Sequence, residues 1–116
     1  MTQAQLVRLC KLWQRRLRLS DWDIVPLLVT EADMPEEYGC GLIDGFEMHV
    51  DIKVRDFADS ERTLIHELLH IRLIPFSDGD QAEPHHEARE VTINLLADCY
   101  MRAYQRRKPK TGGTEE

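Results

Sequence analysis

Residues 60–74 read SERTLIHELLHIRLI, and the other elements of the chain are best placed around this segment. Asp59, Ser60 and Glu61 supply an N-cap and an acidic first turn, and Pro75 cannot continue a helix. Apolar side chains recur at three- and four-residue steps, so one helix face is expected to pack against a sheet. That face consists of Leu64, Ile65, Leu68, Leu69 and Ile71.

The same helix carries the pentapeptide HELLH at residues 66–70. Histidines four residues apart project from one face of a helix, so the imidazoles of His66 and His70 can share one Zn²⁺. Glu67 borders that face, where its carboxylate can reach a metal-bound water without binding the metal itself. The spacing predicts a zinc site in which Glu67 is the catalytic general base.

A catalytic zinc ion needs a third protein ligand and keeps its fourth position for water. The extended pattern HExxHxxGxxH is excluded, because Leu73 and Phe76 stand where it has glycine and histidine. The remaining donors lie on or near the last predicted helix, and spacing does not separate Glu87 from Glu90. These donors are Glu83, His85, His86, Glu87 and Glu90.

The segments before HELLH predict a helix followed by a short sheet. Residues 3–19 form an amphipathic helix with a basic outer face. Residues 21–30 are rich in β-formers, and Pro26 among them indicates an edge strand or a bulge. Asp44-Gly45 is a hairpin signal that leads into a strand from Phe46 to Val54, in which apolar and polar residues alternate.

Pro84 suits the first position of a last helix, which reaches about Gln105. The predicted fold is therefore α+β: an N-terminal helix, a sheet of about three antiparallel strands, the HExxH helix and a C-terminal helix that carries the glutamates. A chain of 116 residues with 42% apolar and 31% charged residues suits one globular domain. We expect that domain over residues 1–105 and a disordered tail over residues 106–116.

Composition also bears on location and partners. The first twenty residues carry five basic side chains instead of an apolar signal core, and no membrane-spanning segment is expected. Three cysteines without a CxxC spacing suit a reducing compartment, so we predict a cytoplasmic protein. Residues 21–100 carry 19 acids against 5 bases, which disfavours nucleic acid there, although the two basic ends could contact phosphate.

HELLH followed twenty residues later by a helix-borne glutamate resembles the gluzincin metallopeptidases, whose third ligand comes from an ExxxD stretch. Here Glu90 to Asn94 is the matching stretch, with asparagine in place of aspartate. The run EVTINLLA at residues 90–97 is similar to the ExxANxFA stretch of ImmA/IrrE-type metallopeptidase domains. The order of elements over roughly residues 38–100 looks like a minimal gluzincin, including the small phage-encoded kind.

The resemblance implies one catalytic Zn²⁺ held by His66, His70 and Glu90. It further implies that Asn94 orients one of the histidines through a hydrogen bond, although a neutral amide raises ligand basicity less than a carboxylate does. In the family, a strand upstream of the HExxH helix binds extended peptide by strand addition, and the strand from Phe46 to Val54 occupies that place.

Further side chains are candidates for lining the substrate cleft or for stabilising an oxyanion in this site. His49, on the polar face of the strand from Phe46 to Val54, is a candidate for the cleft. His86 and Tyr38 are candidates for stabilising an oxyanion, whereas Tyr100 and Tyr104 lie too far along the last helix from Glu90.

The leading functional prediction is a zinc-dependent metallopeptidase that acts on a peptide or protein. The alternative is a zinc-containing binding module with weak or no hydrolytic activity, which contacts nucleic acid or a protein partner through its basic helix and tail. A third class is a structural zinc domain without an open coordination position. Two histidines and one carboxylate also suit Fe²⁺, so the sequence leaves the metal itself open.

Overall fold

The computed structural model describes residues 1–73 and 86–106. Its elements follow one another as α1 (Gln3–Arg16), β1 (Asp23–Val29), β2 (Gly39–Asp44), β3 (His49–Arg55), α2 (Ser60–Arg72) and α3 (His86–Arg106). The predicted α+β class and the order of elements are confirmed. Predictions that concern Pro75, Pro84 and residues 107–116 lie outside the described residues, and Arg106 belongs to α3.

The sheet is mixed, so the prediction of an all-antiparallel sheet was wrong. Within the described residues the strand order is β1-β3-β2, and β3 pairs antiparallel with β2 but parallel with β1. β3 lies in the centre because its alternate side chains Val50, Ile52 and Val54 are apolar and at most 1% exposed. The residues of β2 after Gly39 are all exposed, which suits an edge strand. The segment 30–38 carries the chain from one edge of the sheet to the other.

Pro26 lies on an edge strand, as predicted. It is in register with Ile52 of β3, and its carbonyl oxygen accepts a hydrogen bond from Gln3 Nε2 of α1 at 2.8 Å. The N–H of Leu28 donates to Gln3 Oε1 at 2.7 Å. Because the nitrogen and the carbonyl of one strand residue point to the same side, Pro26 removes no hydrogen bond from the sheet.

The β2–β3 hairpin differs from its predicted form. Residues 45–48 form the turn, so β3 begins at His49 and not at Phe46. The Asp44 carboxylate accepts hydrogen bonds from two backbone N–H groups of this turn at 3.1 and 3.2 Å, and Met48 adopts a left-handed conformation with φ 52°. Aspartate thus shapes a longer turn through its side chain, and Phe46 is left 98% exposed.

α1 ends at Arg16, earlier than predicted. Arg18 has a left-handed backbone with φ 60°. The N–H groups of Arg18 and Leu19 donate to the carbonyl oxygens of Arg15 and Gln14 at 3.2 and 2.7 Å. This is a Schellman arrangement, which closes the helix and turns the chain back so that Leu19 enters the core.

The core lies between the sheet and the helices. α2 buries its predicted apolar face, each residue of which is at most 3% exposed. α1 contributes Leu6, Cys10 and Trp13, and α3 contributes Ile93 and Ala97. None of the helices in the described part of the chain combines the length and the apolar character that a membrane crossing requires.

The N-terminus of α2 is stabilised differently from the prediction. Asp59 occupies the N-cap position, but its side chain makes no capping hydrogen bond. The buried hydroxyl of Ser60 instead accepts a hydrogen bond from Phe57 N and donates to the carbonyl oxygen of Arg55, both at 2.9 Å. The first turn of α2 is therefore tied to the end of β3, which fixes the helix relative to the sheet.

Candidate metal centre

Three polar contacts join α2 to α3 at intervals of one helical turn, and we call them the polar ladder. Moving forward along α2 by four residues corresponds to moving back along α3 by four, so the two helices pack antiparallel with these sides facing. The contacts are Arg62 Nε to Asp98 Oδ1 at 2.7 Å, His66 Nδ1 to Asn94 Oδ1 at 2.9 Å, and His70 Nε2 to Glu90 Oε2 at 2.9 Å.

The last contact of the ladder forms part of a three-residue group. The Nε2 atoms of His66 and His70 lie 3.2 Å apart, and Glu90 Oε1 lies 3.2 Å from His66 Nε2. Bonds of about 2.1 Å in a tetrahedral zinc site separate the ligand atoms by roughly 3.4 Å, which is close to these spacings. His66, His70 and Glu90 are therefore close enough to bind a metal ion, and residues 1–73 and 86–106 hold no second group of this kind.

The packing of α3 brings Glu90 to the histidines, and the side chain of Glu87 is exposed one turn nearer the start of α3. Sequence spacing alone had left open which of these two glutamates is the third metal ligand. Two other donors, Glu83 and His85, lie outside the described residues, and so does the side chain of His86. Glu90 is thus the described acidic residue that completes the group.

Asn94 fixes the orientation of His66. Its Oδ1 can only accept, so it receives the hydrogen bond from His66 Nδ1–H at 2.9 Å. With the proton on Nδ1, the lone pair of Nε2 points to Glu90 and His70, as a metal ligand requires. The resemblance implied this role toward either histidine, and the structure assigns it to His66.

Replacing Asn94 with leucine is expected to weaken Zn²⁺ binding about 10- to 100-fold, because the His66 ring loses the partner that sets its tautomer. Asn94→Asp should bind zinc at least as tightly as the wild type, since a carboxylate accepts the same hydrogen bond more strongly. Competition with a chromophoric chelator measures both affinities. Leu95→Ala, at the exposed neighbouring position, is the control, and an unchanged affinity in Asn94→Leu would remove Asn94 from the site.

Glu67 lies on the side of α2 that faces β2. Burial, together with the negative charges of Glu90 and Glu37, raises the pKa of Glu67 to about 7 from its ordinary value of 4.5. A carboxyl group that titrates near neutral pH is suited to accept and return a proton under physiological conditions. This shift also identifies Glu67 as a candidate functional residue.

The raised pKa of Glu67 predicts how the stability of the metal-free protein depends on pH. Between pH 4.5 and about 7 the unfolded chain loses this proton while the folded chain keeps it. The free energy of unfolding should therefore fall as pH rises through this window, by at most about 3 kcal/mol, and then level off. Urea titrations in the presence of a chelator measure it. Glu67→Gln should flatten the dependence and Glu87→Gln should not, so an unchanged slope in Glu67→Gln would contradict the assignment.

Two glycines of β2 let the strand lie directly against Glu67. A methyl group on Gly39 would stand 2.5 Å from Thr63 Cγ2 and 3.2 Å from Glu67 Oε2. One on Gly41 would stand 3.3 Å from Glu67 Oε1. A methyl group at Gly39 would have to displace Thr63 or the strand, and one at Gly41 would require the end of the Glu67 side chain to shift slightly. The two glycines thus let the strand backbone lie close to the candidate catalytic carboxylate.

We expect Gly39→Ala to lower the free energy of unfolding by about 1–3 kcal/mol, because the added methyl group must displace Thr63 or the strand. Gly45→Ala is the matched control in the same hairpin. A methyl group there meets no atom within 4 Å, so its effect should stay within about 0.5 kcal/mol. Urea unfolding of the two variants at one pH compares them, and equal stabilities would mean that β2 does not press on α2.

A cavity of about 440 Å³ opens beside His66 and Glu67. Tyr38, one of the two candidates for oxyanion stabilisation, lines it and packs on Phe57 with ring centroids 4.6 Å apart. Its lining is completed by Gly39, Asp59, Arg62, Thr63 and Asn94. By contrast, Tyr100 and Tyr104 pack edge-on against Trp13, which agrees with their exclusion from the site.

The prediction that β3 binds extended peptide was wrong. β3 is the central strand, with both of its edges already paired, so it cannot accept a further strand. His49 is held by two carboxylates, with Nδ1 2.8 Å from Asp23 Oδ2 and Nε2 3.2 Å from Asp51 Oδ1. These hydrogen bonds raise the pKa of His49. Among the described strands, β2 is the edge strand that borders Glu67.

Arg62 and Asp98, the first contact of the polar ladder, were not predicted from the sequence. A signal for both was present, because Arg62 stands four residues before His66 and Asp98 stands four residues after Asn94. The role of the Gly39-Cys40-Gly41 pattern, in which alternate glycines give a strand a face without side chains, was not predicted either.

The described part of the chain folds as a mixed three-stranded sheet with helices, and it carries a potential metal-binding group of two histidines and one glutamate between α2 and α3. No family model matches this chain, and comparison with curated proteins and with solved structures likewise found no match. The functional assignment therefore depends on the residues of the site and their geometry.

Proposed function

We propose that this protein is a cytoplasmic, zinc-dependent metallopeptidase of the gluzincin type. The observation that supports this most directly is the convergence of His66, His70 and Glu90, whose ligand atoms lie 2.9–3.2 Å apart. Glu67, the next residue after the first histidine, has a pKa of about 7, which burial and the negative charge of Glu90 raise above its ordinary value. An acid–base group beside a metal-binding group, with a cavity open to both, is the arrangement that metal-assisted hydrolysis requires.

The chain's own residues divide the work of peptide-bond hydrolysis. His66, His70 and Glu90 would hold the Zn²⁺, which would supply a Lewis acid to polarise the scissile carbonyl and to lower the pKa of water. Glu67 accepts the proton of the attacking water on its carboxylate and returns it to the leaving amine. Asn94 keeps the proton of His66 on Nδ1, and the β2 backbone shields Glu67 from bulk solvent on one side.

The substrate is proposed to lie along β2. Extended peptides add to the free edge of a sheet through backbone hydrogen bonds, and β2 is an edge strand in the described residues. Gly39 and Gly41 hold this strand against Glu67, so a peptide that pairs with β2 would run past the candidate catalytic carboxylate. This assigns to β2 the substrate-binding role that the sequence had placed on the strand from Phe46 to Val54.

The test uses the full chain reconstituted with zinc and a diverse mixture of unstructured peptides, in water enriched in the heavy oxygen isotope. We expect cleavage products whose new carboxyl termini carry one heavy oxygen atom from solvent, as mass spectrometry detects. Ortho-phenanthroline should stop the reaction, and its non-chelating meta isomer should not. Absence of cleavage from a folded, zinc-loaded protein, or cleavage that ignores the chelator, would overturn the proposal.

A binding module is the second candidate, and the exposed face of α1 favours it. Arg8, Lys11 and Arg15 are exposed along this face, Arg18 is exposed just beyond the end of the helix, and α1 contains no acidic residue. Such a row of cations can contact the phosphates of nucleic acid. Oligonucleotide binding that weakens steeply with salt, and that persists in Glu67→Gln, would support this candidate, whereas the absence of any binding at low salt would exclude it.

A further inference from the structure

The cavity beside the metal-binding group carries one basic side chain in its wall. Among the described residues that line it, Arg62 is the one lysine or arginine. Its side chain is 40% exposed, and it stands one turn before His66 on the same face of α2. A ligand that reaches His66 and Glu67 through this cavity therefore passes a guanidinium group.

Asp98 holds this guanidinium from the α3 side. Its Oδ1 lies 2.7 Å from Arg62 Nε, and Asp98 is not part of the cavity lining. Arg62 lines the cavity, and its planar guanidinium also carries N–H groups on both Nη atoms. An arginine anchored by a carboxylate loses little further side-chain freedom when it binds a second anion, so the site is pre-organised.

Neighbouring side chains add hydrogen-bond donors. The Oδ1 of Asn94 accepts the hydrogen bond from His66, and Asn94 lines the cavity, so its amide N–H₂ group is the donor that it can offer to a ligand. Thr63 and Tyr38 bring hydroxyl groups to the same lining. A cation flanked by neutral donors matches a planar anion, and a carboxylate can accept two hydrogen bonds from an arginine fork.

Two acidic residues line the cavity, Asp59 and Glu67, and their charge would favour a cationic ligand. The Asp59 carboxylate is exposed at the N-terminus of α2, where solvent and salt screen its attraction for such a ligand. Glu67 is the general base of the proposed function, and it is replaced by glutamine in the binding experiment below. Arg62 is less exposed and is fixed in place by Asp98. A lysine or arginine side chain that enters the cavity would meet this fixed like charge, so a carboxylate is the better fit.

We infer that Arg62 binds a carboxylate of the substrate, and that the protein prefers peptides with a free C-terminal carboxylate or an acidic side chain beside the cleaved bond. This inference rests on the proposed function, because it names the substrate class of the same site. Arg62 would contact substrate directly and would set specificity, with Asp98 as its positioning residue.

The experiment measures binding separately from hydrolysis. The full-length Glu67→Gln protein, loaded with zinc, is titrated by calorimetry with matched pentapeptides that carry glutamate, glutamine or lysine at one position. Each peptide is made with a free and with an amidated C-terminus. Peptides with a carboxylate in reach should bind about tenfold or more tightly than their neutral or cationic partners, as expected for a charged hydrogen-bonded pair.

Arg62→Met in the same background should abolish this preference at equal zinc content, which excludes binding of the carboxylate by the metal alone. Arg72→Met, at an exposed position of the same helix, is the matched control and should keep the preference. If Arg62→Met does not fold, the side-chain N–H resonance of Arg62 in the wild type should shift with N-acetylglutamate and not with N-acetylglutamine amide, which carries no carboxylate.

Two comparisons among these peptides distinguish the source of the carboxylate. A loss of affinity on amidation identifies the C-terminus, and a loss on replacing glutamate with glutamine identifies the side chain. Equal binding of all peptides, tighter binding of lysine peptides, or no binding at millimolar concentrations would overturn the inference. Hydrolysis without any carboxylate preference would overturn the inference alone, and carboxylate binding without hydrolysis would overturn the proposed function alone.

Discussion

Replacement of Glu90 by alanine is expected to lower the affinity of the protein for Zn²⁺ by more than about 100-fold, beyond the loss that follows removal of an outer hydrogen-bond partner. The two oxygens of Glu90 each approach one of the histidine Nε2 atoms, at 3.2 and 2.9 Å. Without them the two histidines alone would leave the metal with two protein ligands, which is too few for a stable site.

The loss of zinc should not reflect loss of the fold. α3 is held against the core by Ile93 and Ala97, which are at most 1% exposed and do not involve Glu90. Elemental analysis and chelator competition measure the metal, and circular dichroism measures the helix content. Glu87→Ala, one turn away and exposed, should retain zinc at the wild-type level. Retention of zinc by Glu90→Ala, or its loss from Glu87→Ala, would place the third ligand elsewhere.

Glu67→Gln is expected to reduce peptide hydrolysis by about 10²- to 10⁴-fold, the usual contribution of a general acid–base group. Glutamine has nearly the same size as glutamate, so the contacts with the Gly39 and Gly41 backbone should persist. It cannot accept the proton of water at a pKa near 7. Because Glu67 is not one of the three converging ligands, the zinc content should remain unchanged.

Steady-state kcat/KM for a peptide that the wild type cleaves is the appropriate measure, with zinc content determined on the same sample. Glu87→Gln is the control for an exposed glutamate on the facing helix. A Glu67→Gln protein that cleaves at the wild-type rate would show that hydrolysis does not use this carboxylate. Parallel loss of zinc and activity would instead give Glu67 a role in holding the metal.

Much of α2 could be predicted from the sequence, because its determinants are local. The apolar residues at three- and four-residue steps and the histidines four apart depend only on helix geometry. Both the buried face and the pairing of His66 with His70 appear in the structure. Pro26 was also informative, since a missing N–H restricts a strand to the edge of a sheet whatever its partner.

The sheet could not be predicted in the same way. Asp44-Gly45 correctly indicated a hairpin, but the Asp44 side chain stabilises a turn that continues to Met48. The parallel pairing of β1 with β3 joins residues about 26 positions apart in the chain, such as Ile24 and Val50. Which strand pairs with β3 depends on how each strand packs against the helices, and a local sequence pattern does not predict that packing.

The sequence by itself determined that one helix presents two imidazoles and a carboxylate at fixed spacing, because a helix converts sequence separation directly into position. Only the tertiary structure decided which acidic residue of α3 meets them, because the register of two packed helices is set by their whole interface. Burial of Ile93 and Ala97 fixes that register, and it aligns Glu90 with His70 and Asp98 with Arg62. The approach of β2 to Glu67 was decided in the same way, by packing between segments that are distant in the chain.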